Sequence, residues 1–287
     1  MIKKMLSVLL SVLVALHAGS AANSDGEEAE MSLYAINVRK ADALLLRSGK
    51  SAYLIDTGTE DEAPTLLKAL KNEGISHLDG IILTHTDKDH IGGLEYLLNS
   101  DLDVDQVYAS GYFKAKIKKK SGETKEHPVV KILKGTGREL IYLLSGDSLP
   151  LDGGTLEVLG PLVQNDEAEN CNSVVLLATG GGGTMLLTGD MEFPEEETLL
   201  SAGLIPHADV LKIGNHGEDD ATSEALIKAV APSVAVISTN TEDEPDTPSG
   251  RVMKLLQKYK VTVYQTQETE NGVLITLRNG AIAAEKK

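Results

Sequence analysis

Apolar and polar positions follow one another in blocks whose period changes several times between residues 32 and 277. Leu33 to Val38, Ala43 to Arg47 and Ala52 to Ile55 read as consecutive strands, the last two joined by a tight turn at Ser48-Gly49-Lys50, so the domain opens as a meander. From Glu62 to Glu73 the period lengthens: Leu66, Leu67 and Leu70 fall on one helical face, and Gly74 follows as a left-handed cap. A buried strand, Gly80 to Leu83, comes next. Further strands are predicted at Thr155 to Leu159, Val174 to Ala178 and Met185 to Leu187, with Gly180 to Gly183 as a hairpin turn between the last two. After them, helices at Glu195 to Ala202, Ser223 to Ala231 and Ser249 to Tyr259 alternate with strands at Val210 to Ile213, Val234 to Ile237 and Val261 to Tyr264. A last strand, Gly272 to Leu277, follows. Two sheet-rich halves carrying outer helices predict an α/β fold of layered sandwich type rather than a barrel or a bundle.

Composition narrows the class. A hydrophobic fraction of 41% and a charged fraction of 24% exclude wholesale disorder, collagen-like repeats and a polytopic membrane protein. With 3% aromatic residues and no Trp, the core must be built from Leu, Ile, Val and Ala. The net charge of -16 disfavours adhesion to nucleic acid or anionic lipid through the whole surface, so any contact with a phosphate polymer must be local. At the N-terminus, Lys3 and Lys4 precede an apolar run from Met5 to Leu16, and the small residues Ser20, Ala21 and Ala22 follow. This is the layout of a secretory signal peptide over residues 1–22, cleaved after Ala22. The run is shorter than the roughly 20 residues that span a bilayer. An acidic lead-in, 23–31, and a single domain, 32–287, are expected to follow, giving a secreted or envelope-exterior protein with no stable membrane insertion. The only cysteine, Cys171, cannot form an intramolecular disulfide.

Chemistry concentrates where strands end. Thr84-His85-Thr86-Asp87-Lys88-Asp89-His90-Ile91-Gly92-Gly93 follows the strand ending at Leu83 and carries four donors, His85, Asp87, Asp89 and His90, just before a helix. A divalent cation needs several convergent N and O donors, and a strand-to-helix turn presents them with the backbone held on both sides. Helix capping by Asp87 or Asp89 is the structural alternative. It explains one aspartate and neither histidine. Thr188-Gly189-Asp190 and Gly214-Asn215-His216-Gly217 also end strands. Alone, Asp190 reads as a turn residue and His216 as a satisfied histidine; with the first cluster they extend one donor set. Between Lys114 and Lys125, lysines crowd around a single acid, Glu123, beside Tyr108, Tyr112 and Phe113. Such a strip suits a polyanionic strand whose bases stack on the rings, and a solvated lysine-rich hairpin is the competing reading.

These segments resemble the metallo-β-lactamase fold superfamily, most closely the extracellular hydrolase domain of the ComEC/Rec2 competence proteins. The resemblance runs from about Leu33 to Leu277. Its carriers are Asn37-Val38 through Asp42 to Leu46, Leu54-Ile55-Asp56-Thr57-Gly58, His85 to Gly93, Asn170 to Leu177, Leu187-Thr188-Gly189-Asp190 and Asp209 to Gly217. It implies a four-layer αββα sandwich with a dinuclear metal site along one edge of the two sheets. His85 and Asp87 would then hold one cation, Asp89, His90 and His216 the second, with Asp190 bridging and Asp56 behind them. Asp89 and Asp190 are the expected catalytic pair. Two divalent ions about 3.5 to 4 Å apart can hold a bridging water and lower its pKa to near 7. Asp87 fills a place that many members give to histidine, and this harder oxygen donor admits manganese alongside zinc.

Departures from that pattern bear on catalysis. A further histidine often reaches the first metal from the stretch that here reads Asn170-Cys171-Asn172-Ser173, where an asparagine carbonyl could ligate or leave the position to water. Asn215 stands where a histidine is common, and Glu218 where serine is frequent. Thr247-Pro248-Ser249 replaces His-Pro-Ser, and Arg39-Lys40-Ala41-Asp42 replaces Gly-Gln-Gly-Asp. The resulting expectation is an exported metal-dependent hydrolase, a phosphodiesterase or nuclease acting on DNA or another phosphoester. The alternatives are hydrolysis of a lactam, lactone or thioester, and a metal-binding interaction protein without catalysis.

Overall fold

Strand β1 (Met31–Ile36) shows the logic of the whole molecule. Its side chains alternate between two cores, Leu33 and Ala35 entering one and Tyr34 and Ile36 the other, as the period of two requires of a strand buried on both faces. The computed structural model describes residues 30–118 and 122–287, so the predicted signal segment, most of the acidic lead-in, Lys119 and Lys120 lie outside the described residues.

The first half continues through β2 (Leu44–Ser48), β3 (Ser51–Ile55), α1 (Ala63–Asn72), β4 (His77–Leu83), the short helices α2 (Lys88–Ile91) and α3 (Leu94–Leu98), and β5 (Asp103–Ser110). A small hairpin, β6 (Lys116–Lys118) and β7 (Thr124–Glu126), is followed by α4 (Pro128–Gly135) and β8 (Leu140–Leu143). The second half comprises β9 (Ser148–Leu151), β10 (Gly154–Gly160), β11 (Val175–Gly180), β12 (Gly183–Leu187), α5 (Phe193–Ser201), β13 (Val210–Lys212), α6 (Glu224–Val230), β14 (Val234–Ile237), α7 (Gly250–Lys258) and β15 (Thr262–Gln265). The chain then returns to the first sheet with β16 (Gly272–Arg278) and β17 (Ala281–Lys286).

The larger sheet has the order β17-β16-β1-β2-β3-β4-β5-β8 and the smaller β15-β14-β13-β12-β11-β10-β9. Three apolar clusters define four layers. One lies between the sheets and joins Leu33, Leu44 and Ile55 to Leu156, Leu176 and Leu187. The second seats α1, α3 and α4 on the outer face of the larger sheet through Leu66, Leu70, Leu97 and Val129. The third seats α5, α6 and α7 on the smaller sheet through Leu199, Leu226, Ile227 and Leu256. Each fully buried aliphatic side chain contributes about 1.5–3 kcal/mol, so packing across three interfaces holds the layers without a disulfide; Cys171 is free and buried.

The αββα sandwich expected from the resemblance is the fold observed. Most predicted elements shift by only a residue or two; β1, for example, begins at Met31, one residue before the expected domain start. Between residues 100 and 150 the sequence reading missed several elements. β5 interleaves Asp103, Asp105 and Gln106 with its apolar residues, and β6 and β7 are three-residue strands with little buried surface, so neither carries a clean period. The glycine-rich turn between β11 and β12 is a hairpin: Gly181 and Gly182 have φ of 61° and 76°, the left-handed pair that a two-residue turn uses.

Candidate metal centre

Strands β3, β4 and β5 run parallel in one sheet, as do β12, β13, β14 and β15 in the other, so their carboxyl ends meet along one edge of the sandwich. That edge gathers the chemistry. Asp56 follows β3, His85 follows β4, Asp190 follows β12 and His216 follows β13. The two sheets are tied there by a hydrogen bond from Val174 N–H to Thr84 O of 2.9 Å.

The Asp89, His90, Asp190 and His216 ligand atoms all lie within 4.8 Å of one another. Asp190 Oδ2 is the hub, at 3.0 Å from His90 Nε2, 3.3 Å from His216 Nε2 and 4.0 Å from His85 Nε2. Asp89 Oδ2 stands 3.4 Å from His216 Nε2, and Asp87 Oδ2 stands 3.8 Å from His85 Nε2. All six sequence-predicted residues therefore face one edge. The Asp87 side chain, 52% exposed, lies at the solvent side. Asp87 occupies the N-cap position of α2, yet its carboxylate makes no capping bond, which removes the capping explanation for that residue.

Hydrogen bonds from behind orient the three imidazoles. His90 Nδ1 lies 2.7 Å from Asp56 Oδ2, and Asp56 also accepts from Thr84 N–H at 2.8 Å and the Thr84 hydroxyl at 2.7 Å. His216 Nδ1 meets Ser238 O at 2.9 Å, and His85 Nδ1 faces the Thr84 hydroxyl at 3.1 Å. An imidazole whose Nδ1–H is engaged offers the Nε2 lone pair, the arrangement that metal-ligating histidines use. Among the described residues, three buried atoms of this cluster lack a hydrogen-bond partner: His85 Nε2, His216 Nε2 and Asp190 Oδ1. Leaving such atoms unpaired costs about 1–3 kcal/mol each, and a cation coordinated by them removes that cost. The donor set fits divalent metal.

Backbone strain supports the same assignment. Asp56, Asn215 and His216 have φ of 60°, 43° and 51°, in the left-handed region that costs a side-chain-bearing residue about 1–2 kcal/mol. Loop packing holds the Asp56 turn in place. Thr57 N–H donates to His90 O at 2.6 Å, and Gly93 lies so close to this loop that a Cβ there would stand 2.3 Å from Thr57 O.

Electrostatics couples the cluster. Burial favours neutral imidazole at His216, but the nearby carboxylates of Asp190 and Asp89 override it and raise the group to about 9. His90 is likewise raised, burial being outweighed by Asp190 and Asp56. His85 is pushed down to about 3 by burial and by the charge on His90. Against burial, the His216 and His90 charges hold Asp190 well below the usual carboxylate range, and the proximity of His216 and the His90 charge hold Asp89 at about 2.

Other residues singled out by the sequence lie away from the cluster. Asn170 and Asn172 do not turn toward the cluster. The Asn170 amide donates to Glu192 at 2.9 Å, and Asn172 is held on both ends by Asn165, accepting from its N–H at 2.8 Å and donating to its carbonyl at 2.8 Å. Asn215 donates to Asp220 at 3.0 Å. The lysine-rich stretch forms the β6–β7 hairpin, but Tyr108 and Phe113 are 9% and 8% exposed, with Phe113 packed edge-on against His127. Those two rings belong to the core and cannot stack bases.

One buried pair escaped the sequence reading. The Lys212 ammonium lies 2.7 Å from Asp42 Oδ2, both side chains fully buried, and donates to Ile213 O at 2.9 Å. Asp42, Asp56 and His90 place ligand atoms within 4.8 Å of one another, so the pair stands directly behind the centre. The available signal was a lysine inside the apolar strand Val210-Leu211-Lys212-Ile213.

Comparison with known proteins now identifies the domain. The family described as the metallo-beta-lactamase superfamily matches residues 36–241. The chain belongs to that superfamily. It is 32% identical over 209 residues to ComE operon protein 3 of Bacillus subtilis (strain 168), an alignment covering 73% of this chain and 26% of that protein. It is 30% identical over 228 residues to Recombination protein 2 of Haemophilus influenzae, covering 78% and 26% respectively. The superfamily chain thus spans about a quarter of the length of these curated relatives. Among solved structures, the metallo-beta-lactamase fold protein YhfI from Bacillus subtilis superposes with a TM-score of 0.54 at 15% identity, covering 86% of this chain and 99% of that one. Members of the superfamily are usually metal-dependent hydrolases, typically with two metals, and this chain carries candidate metal-binding groups of residues at the corresponding edge.

Proposed function

We propose that this domain is a divalent-metal-dependent phosphoester hydrolase, acting on phosphodiester bonds of DNA or a related polyanion after export through the signal segment. The observation that carries the hydrolase reading is the convergence of His85, Asp87, Asp89, His90, Asp190 and His216 with three buried donor atoms unpaired. Asp89, His90 and His216 would hold one cation, His85 and Asp87 a second, and Asp190 both; zinc and manganese suit the mixed imidazole and carboxylate donors. Such a pair supplies a nucleophilic water at neutral pH and neutralises charge building on the attacked group. The protein's own part is orientation and charge: Asp56 and Ser238 O fix two imidazoles, and Asp190 and Asp89, whose pKa values are lowered, stay ionised to face the cations.

Two considerations favour phosphoester over lactam, lactone or thioester. A small carbonyl substrate calls for an apolar-walled pocket, and the cavities of about 430 Å³ and 80 Å³ beside Phe193 and Pro194 are lined by residues outside the cluster and do not supply one there. The relatives carry names drawn from competence and recombination. A second reading, metal binding without turnover, is favoured by Asn215 bonding to Asp220 instead of serving the centre. The deciding experiment is metal analysis of the purified protein with parallel assays on plasmid DNA, bis(p-nitrophenyl) phosphate and p-nitrophenyl acetate. Bound zinc or manganese with phosphodiester cleavage that a chelator abolishes is expected. Metal without turnover of any ester would establish the second reading, and turnover of the acetate alone would overturn the phosphoester assignment.

A further inference from the structure

Two departures from the family pattern meet each other at the rim of the centre. Lys40 stands where the resemblance places glutamine and Glu218 where it places serine, and their side chains form an ion pair of 2.7 Å, 19% and 33% exposed. Both are anchored to the cluster through the backbone. Asp42, two residues after Lys40, donates its N–H to Asp89 O at 3.1 Å, and Glu218 lies two residues after His216 and donates its N–H to Asn215 O at 2.8 Å. The pair therefore sits on the Asp89–His216 side of the centre, and the charges of Asp89 and Asp190 reach the Lys40 ammonium.

The loop that carries Lys40 is fixed. Arg39 grips Asp243 through Nε at 2.9 Å and 3.0 Å, the Lys40 N–H donates to the same carboxylate at 3.4 Å, and Arg39 N–H donates to Asn37 Oδ1 at 3.2 Å. The backbone of Lys40 is thus held while its long side chain reaches across to Glu218. A partly exposed lysine–carboxylate pair of this kind is weakly held, so another anion can displace Glu218 readily. An ammonium at the rim attracts an anionic substrate and offers three donors, and a neutral ester has no charge to exploit it.

We propose that Lys40 is the anion-recognition residue of this site, exchanging Glu218 for a non-bridging oxygen of the substrate's phosphoryl group. The proposal rests on the phosphoester reading for its substrate class, and its test is independent of turnover. Calorimetric titration of inorganic phosphate into the zinc- or manganese-loaded full chain is compared for wild type, Lys40→Gln and Glu218→Gln, with metal stoichiometry and melting temperature measured on each. Losing a charge-assisted hydrogen bond should weaken phosphate about tenfold in Lys40→Gln. Removing the competing carboxylate should tighten phosphate several-fold in Glu218→Gln. The opposite signs are the discriminating feature, since a purely structural ion pair would move both variants in the same direction. With bis(p-nitrophenyl) phosphate, Lys40→Gln should raise KM and Glu218→Gln should lower it. Unchanged phosphate affinity in both variants, shifts of one sign, or no phosphate binding by the wild type overturns the proposal. Lys40-dependent phosphate binding in a protein that cleaves no phosphoester would sustain the recognition role and remove the hydrolase reading instead.

Discussion

Replacing Lys212 with methionine removes the cation that faces Asp42 inside the core and leaves the rest of the strand unchanged. Both groups are fully buried and 2.7 Å apart, and Asp42 Oδ1 has no hydrogen-bond partner among the described residues. Breaking a buried pair by deleting one member costs about 3–5 kcal/mol, because the survivor is an uncompensated charge. At about 2–4 °C per kcal/mol for a domain of comparable size, Lys212→Met should lower the melting temperature by roughly 6–20 °C. The loss reflects the orphaned carboxylate rather than missing packing, since methionine fills similar volume. Adding Asp42→Asn to Lys212→Met should therefore restore stability, and the double-mutant cycle should show a coupling of at least about 1–2 kcal/mol. Urea and thermal unfolding followed by circular dichroism measure all four corners of the cycle. A double variant as unstable as Lys212→Met, or a single variant within about 1 kcal/mol of wild type, would refute the reasoning.

Asp190→Ala should lose both metals and activity together, read by elemental analysis; after chelation, the His216 imidazole should titrate well below about 9, because the largest charge raising it is gone. Retention of both metals at wild-type stoichiometry would end the bridging assignment. Glu195 is buried with neither carboxylate oxygen hydrogen-bonded among the described residues, and burial with the charges of Glu196 and Glu192 raises it well above the usual carboxylate range. The folded state then holds a proton that the unfolded chain releases, so stability falls as pH rises above the ordinary glutamate value toward the raised one. Glu195→Gln should gain about 1–3 kcal/mol at pH 8 and nothing at pH 4, and an equal shift at both would contradict the buried acid. Replacing Lys116, Lys118, Lys119 and Lys120 by glutamine should reduce the log-log salt slope of DNA binding by roughly 3 to 4, at about 0.9 per duplex phosphate contact and 0.7 per single-strand contact. An unchanged slope would reduce the hairpin to a solvated loop.

The elements and the donor set were legible in the sequence because both are written locally. The short apolar run Leu33-Tyr34-Ala35-Ile36 of a strand buried on both faces and the single helical face of Leu66, Leu67 and Leu70 follow from backbone geometry, and His85, Asp87, Asp89 and His90 fall within one turn between strand and helix. That Asp190 and His216 join them, 100 and more residues further on, was carried by resemblance and by their position at strand ends; a parallel sheet brings its carboxyl ends to one edge whatever loops intervene. Only the tertiary structure decided the rest. Lys212 and Asp42 lie far apart in sequence and give no periodic signal. Asn170, Asn172 and Asn215 have the chemistry to serve the centre, yet their rotamers are set by Glu192, Asn165 and Asp220. The Lys40–Glu218 pair reads in the sequence as two unrelated substitutions. Side-chain partners across loops depend on how layers stack to exclude water, and that packing is a property of the whole chain rather than of any segment.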